Sequence, residues 1–135
     1  METLKLQRTL VNQILTQAQQ SPEQEICGLL GGRDGKAQQC YPVENSAIDP
    51  QRRYHMTPQG QIDAMRRMRE AGEELIAIYH SHPHTAAFPS ETDLQEAQYP
   101  DAVYLIVSLN TEGVMEMAAF RIIDGQARQM ALALE

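Results

Sequence analysis

The run LIAIYH, residues 75–80, limits what this chain can fold into more than any other stretch. It shows no polar alternation, so as a strand it needs cover on both faces, which places it inside a sheet packed by helices. The rest of the chain supplies those helices. Leu10, Val11, Ile14, Leu15 and Ala18 recur at helical spacing and predict an amphipathic helix over about residues 8–20, stopped by Ser21-Pro22. A second helix is predicted from Pro58 to Gly72, with proline suited to its first turn. A short third one over residues 90–98 ends before Pro100.

Strands fill the intervals. Leu4 and Leu6 suit a short strand, and ICGLLGG (26–32) a buried one that turns at Asp34-Gly35 and returns as QQCYPVEN. A short strand is expected at Tyr54–Met56. Three more runs close the chain, at 102–109, 114–122 and 127–134, with Asp124-Gly125 as the last turn. Ideal pairing about Asp34-Gly35 sets Cys40 opposite Leu29 and Cys27 only diagonal to it, so both thiols are expected to be free. The expected architecture is one α/β domain, residues 1–135, with helices packed on a mixed sheet.

Bulk properties exclude several classes. The 135 residues suffice for one core, and 42% hydrophobic with 21% charged residues is the balance of a globular domain. A net charge of −7 argues against nucleic acid as a partner, and Arg66, Arg67 and Arg69 read as the solvated face of a helix. No apolar run approaches the roughly 20 residues of a membrane helix, so no membrane partner is expected. METLKLQRTL mixes charged and apolar residues unlike a signal peptide, and two cysteines make no disulfide framework. The expected compartment is the cytoplasm.

The chemistry concentrates in HSHPHTAAFPSETD, residues 80–93. His80 and His82, at i and i+2 on a strand end, point to one face and can converge on one metal ion. Pro83 ends the strand, and a loop returns to Asp93, whose carboxylate can be the third ligand. Two nitrogens and one oxygen suit zinc with a fourth position open to water, although the same set can hold iron for oxygen chemistry. Ser90-x-x-Asp93 also reads as a helix N-cap close to a capping box, and the two readings can coexist. His84 reads as a loop residue and His55 as an ordinary polar one. Glu25, by composition alone, is a surface acid at a strand start.

His80-Ser81-His82-Pro83 followed after six residues by Ser90-x-x-Asp93 resembles the signature of the JAMM, or MPN-plus (Mov34/PAD-1), zinc metalloproteases. The segment Glu25-Ile26-Cys27-Gly28 resembles the upstream part of the small prokaryotic members. The resemblance spans essentially the whole chain. It implies an α-β-α sandwich with a mixed sheet of the cytidine-deaminase-like kind, and one Zn2+ held by His80, His82 and Asp93. It also implies Glu25 as general base, with Glu23 and Glu44 as rivals, and Ser90 as a donor to the oxyanion.

The implied reaction is hydrolysis of an amide after the C-terminal Gly-Gly tail of a ubiquitin-like or sulfur-carrier protein, releasing cysteine or a conjugated protein. Cys27 then needs no nucleophilic role and reads as a small buried hydrophobe. Residues 51–57 and 84–89 are the expected edge and loop for an extended tail. A homodimer is an allowed assembly. The alternatives are a non-catalytic scaffold of the same fold, against which the filled ligand positions speak, and a nucleobase deaminase. The latter expects a Pro-Cys-x-x-Cys pair that this sequence lacks.

Overall fold

The computed structural model describes residues 2–110 and 116–135. Among them the elements run β1 (Thr3–Leu6), α1 (Arg8–Gln20), β2 (Cys27–Arg33), β3 (Lys36–Val43), α2 (Pro58–Glu70) and β4 (Glu74–His82). The order continues with α3 (Glu91–Glu96), β5 (Val103–Ser108), β6 (Glu116–Ile123) and β7 (Gln126–Leu134). The LIAIYH run is the heart of β4, which lies antiparallel to β2 on one side and parallel to β5 on the other. The sheet is therefore mixed. Its order is β3-β2-β4-β5-β6-β7, and β1 pairs in parallel with both β7 and β3, closing it into a barrel.

Helices cover two faces. The α1 residues Leu10, Ile14 and Ala18, one turn apart, pack with Leu4, Leu6, Leu30, Tyr79 and Leu105. The α2 residues Ala64 and Met68 pack on the opposite side with Leu29, Ile78, Tyr104 and Ile106. These are the α-β-α layers the sequence implied. Thr57 caps α2 by accepting from the Gly60 N–H at 3.2 Å, with Pro58 in the first turn. The basic face of α2 is solvated as expected; Arg66 pairs with Asp63 and Glu70, and Arg67 lies over the Tyr41 ring. No helix among the described residues is long and apolar enough to cross a membrane.

Two details depart from expectation. Asp34 and Gly35 both have positive φ, as a two-residue hairpin turn requires, but the ladder slips beyond it. A bulge between Gly31 and Gly32 sets Cys40 opposite Leu30 and Tyr41 opposite Leu29. The backbone demands this particular glycine, since a Cβ on Gly32 would fall 1.8 Å from the Lys36 carbonyl oxygen. Cys27 faces Val43, and both thiols are free. The second departure is at Tyr54–Met56, where a single bridge, Asn45 to Met56, replaces the expected strand. The last-but-one predicted strand begins at Glu116; its residues 114 and 115 lie outside the described residues.

Candidate metal centre and active site

His80 and His82 end β4 on the face that carries Ile78 and packs against α2, while Ser81 between them points the other way. Ser81 staples the neighbouring strand: its N–H donates to the Ile26 carbonyl (3.0 Å), and its hydroxyl accepts from the Ile26 N–H (2.9 Å). That fixes the residue beside Glu25. The loop after Pro83 is pinned in turn, as Ser108 donates to the Thr85 carbonyl (2.6 Å) and His82 Nδ1 lies 2.8 Å from the Ala86 carbonyl. The chain can then enter α3 with Ser90 as N-cap. Ser90 Oγ accepts from the Asp93 N–H at 3.0 Å, and Asp93 Oδ2 accepts from the Ser90 N–H at 2.9 Å. The capping-box reading is correct, and it is what aims Asp93 at the histidines.

Three atoms able to ligate a metal meet there. His80 Nε2 and His82 Nε2 are 3.1 Å apart, and Asp93 Oδ2 is 3.1 Å from the first and 3.0 Å from the second. Atoms bound at about 2.0–2.1 Å around one tetrahedral zinc stand roughly 3.3 Å apart, so the triangle is already close to a coordination face. The protonation pattern agrees. The Ala86 carbonyl can only accept, so Nδ1 of His82 carries a proton, which leaves Nε2 as the atom that would face a bound cation. Two imidazoles and a carboxylate converging on one buried point fit a cation.

Glu25 completes the site and corrects the surface-acid reading. The residue is 4% exposed, and its Oε1 is buried without a hydrogen-bond partner among the described residues. It offers an oxygen within 4.8 Å of a ring nitrogen of each of the two histidines. The backbone holds it firmly, with its N–H on the Pro50 carbonyl (2.7 Å) and its carbonyl accepting from Asn45 Nδ2 (3.0 Å). Glu23 and Glu44 are both exposed. Of the three acids considered, only Glu25 enters the site.

Burial sets the electrostatics. It pushes the Glu25 carboxyl up to about 8, against the pull of His82. It also lowers the His80 imidazole, more than Asp93 can offset. For His82 burial again lowers, but the bonds to Asp93 and Ala86 outweigh it and the net shift is upward. Burial opposes the Asp93 charge too, yet the two histidines hold that carboxyl well below the carboxylate range. Burial drives Cys27 up to about 12, so no thiolate is available there; its Sγ donates to the Val43 carbonyl at 3.3 Å.

A cavity of about 850 Å³ opens over this site, lined by Glu25, Asp49, Arg52, His82, His84 and Ser90. His84 is exposed at its rim and pairs with Glu23 at 3.4 Å, a loop residue as the sequence suggested. His55 is also exposed and outside the triangle. Sequence reasoning missed Asn45 and Tyr54, both of which touch the site's framework from a distant loop. Asn45 ends the QQCYPVEN run and Tyr54 opens the expected short strand, but neither belongs to the histidine–aspartate motif, and only the folded chain brings them in.

Residues 7–123 match the family of prokaryotic homologues of the JAB domain. The chain belongs to that family. A CysO-cysteine peptidase of Mycobacterium tuberculosis is 35% identical over 124 residues, covering 90% of this chain and 84% of the relative. A desampylase of Haloferax volcanii is 32% identical over 117 residues, covering 84% of this chain and 81% of its own. Protein DSY2949 from Desulfitobacterium hafniense superposes with a TM-score of 0.87 at 31% identity, over 97% of this chain and 92% of that one. The JAB1/MPN-domain protein AF2198 of Archaeoglobus fulgidus aligns at a TM-score of 0.61 and 19% identity, over 96% and 98%, a likeness of fold alone. This JAB-family chain is thus a hydrolase of the JAMM type.

Proposed function

We propose that the chain is a zinc-dependent peptidase that hydrolyses the amide bond after the C-terminal Gly-Gly tail of a ubiquitin-like or sulfur-carrier protein, releasing an amino acid or a conjugated protein. The observation that carries this is the triangle of His80 Nε2, His82 Nε2 and Asp93 Oδ2, 3.0–3.1 Å on each side, with the buried, unpartnered Oε1 of Glu25 beside it. The names of the two relatives support the substrate class. The complete donor set speaks against a non-catalytic scaffold.

His80, His82 and Asp93 hold the metal. Zinc, when bound, supplies Lewis acidity toward the scissile carbonyl and lowers the pKa of water at the open position to about 7. Glu25 takes a proton from the attacking water and delivers it to the leaving amine. Burial raises this carboxyl, and a cation held between the histidines would pull it back down toward the ionised form that accepts a proton. Ser90 Oγ accepts from the Asp93 N–H, which leaves its hydroxyl proton to donate to the carbonyl oxygen as negative charge develops. No covalent enzyme intermediate is needed, in keeping with a Cys27 thiol that stays protonated.

The tail is expected to lie along residues 51–57 and 84–89. His55 and Thr57 pair with Ser46 and Glu44 about the single Asn45–Met56 bridge, and an extended peptide is expected to add beside them. Glycines at the tail's end are expected to keep side chains clear of the cavity that Glu25 and Ser90 line. The test is to incubate the zinc-loaded chain with carrier proteins ending in Gly-Gly and bearing a C-terminal amino acid or lysine-linked extension, and to read the products by mass spectrometry. Cleavage after the second glycine, abolished by a chelator, is the expected result. Cleavage elsewhere, or undiminished cleavage in the chelator, overturns the proposal.

A further inference from the structure

We infer that Tyr54 is a positioning residue for His80, a flat plate that sets the plane of this imidazole where no hydrogen bond holds its Nδ1. The inference rests on the reading of His80 as a metal ligand. A ligating imidazole turns a bare Nε2 to the metal and carries its proton on Nδ1, which an acceptor behind the ring ordinarily holds. His82 follows this rule through the Ala86 carbonyl at 2.8 Å. His80 does not: the residue is 1% exposed, and its Nδ1 is buried with no hydrogen-bond partner among the described residues. Its ring lies instead against Tyr54, with centroids 4.4 Å apart and planes inclined by 26°, while His82 meets it edge-on at 4.9 Å. Stacking fixes the ring plane, and the contact with Asp93 selects which edge faces inward.

A plate positions only if it is itself held. Asn45 does this with all four of its amide hydrogen bonds. Its Oδ1 accepts from the N–H groups of His55 (2.9 Å) and Ala47 (3.0 Å), and its Nδ2 donates to the carbonyls of Arg53 (3.1 Å) and Glu25 (3.0 Å). The residues on either side of Tyr54 are thus clamped by the same side chain that holds the Glu25 backbone. The ring behind one ligand and the backbone of the proposed base share one anchor.

The test measures zinc affinity by chelator competition for the unsubstituted chain, Tyr54→Phe, Tyr54→Leu and His80→Ala, together with the visible spectrum of each cobalt-loaded form. Phenylalanine keeps the plate and should bind zinc as the unsubstituted chain does, with the same cobalt bands. Leucine should weaken binding roughly ten- to a hundredfold, the usual effect of losing a group behind a ligand, and shift those bands. Proton NMR of the unsubstituted zinc form gives a readout that needs no variant: the His80 ring protons should sit upfield, shielded by the Tyr54 ring. Leucine binding zinc like the unsubstituted chain, phenylalanine as weak as leucine, or unshielded His80 protons each overturn the inference. Zinc affinity unchanged in His80→Ala overturns instead the ligand reading beneath it, so the two failures are told apart.

Discussion

A carboxyl group that is almost fully buried with an unpartnered oxygen costs stability, because desolvation is uncompensated there. Glu25 is such a group, and that placement suits the proton carrier proposed for it. Cys27, two residues on, is buried in ordinary fashion and tied to the Val43 carbonyl. Cys27→Ser can keep that bond and should retain turnover within a few-fold, with thiol alkylation equally without effect; a folded but inactive serine variant would point to cysteine chemistry. Asp93→Asn removes a charged ligand while leaving the shape, so zinc should be lost at lower chelator concentrations than from the unsubstituted chain. The convergence of His80, His82 and Asp93 was legible in the sequence because they lie within fourteen positions of one another, where strand alternation and a cap fix their directions. Asn45 and Tyr54 were not, since their contacts arise from a loop folded back on β2 and β4.

At the scale of elements, the site is built from a strand end and a helix cap, and α3 shows how one motif serves two ends. Ser90 both caps the helix and offers a hydroxyl to the cavity. Ser90→Ala should cost about 1 kcal/mol of stability through the lost cap and roughly 10²–10³-fold in turnover through the lost donor. Ser90→Thr preserves both groups and should recover most of each. Thermal melts beside steady-state rates separate the two effects, and a normal rate for the alanine variant would remove Ser90 from the chemistry. Helices and strands were legible from periodicity because their apolar faces meet two large cores. The hairpin register was not legible. Turn chemistry alone predicts an unbroken ladder, whereas Gly32 lets the backbone close on the Lys36 carbonyl and slips it by one residue.

For the whole molecule, metal binding should be linked to folding, because the ligands join the end of β4 to the start of α3 across a loop. Zinc at a thousandfold above its dissociation constant stabilises by about 4 kcal/mol, so stripping it should lower Tm on the order of 10 °C. His80→Ala should show no such shift, and a chelator-insensitive melt of the unsubstituted chain would deny it a structural metal. Closure of the sheet by β1 lay beyond the sequence reading, since two short pairings with β3 and β7 leave no pattern in Thr3–Leu6. The central claim is that Glu25 moves the proton while His80, His82 and Asp93 hold the metal. Its most direct test is turnover of a Gly-Gly-tailed carrier conjugate by Glu25→Gln, measured beside the zinc content of the same sample. The account predicts a rate lower by about 10²–10⁴-fold with one zinc per chain retained; near-normal turnover, or loss of the zinc along with the rate, would contradict it.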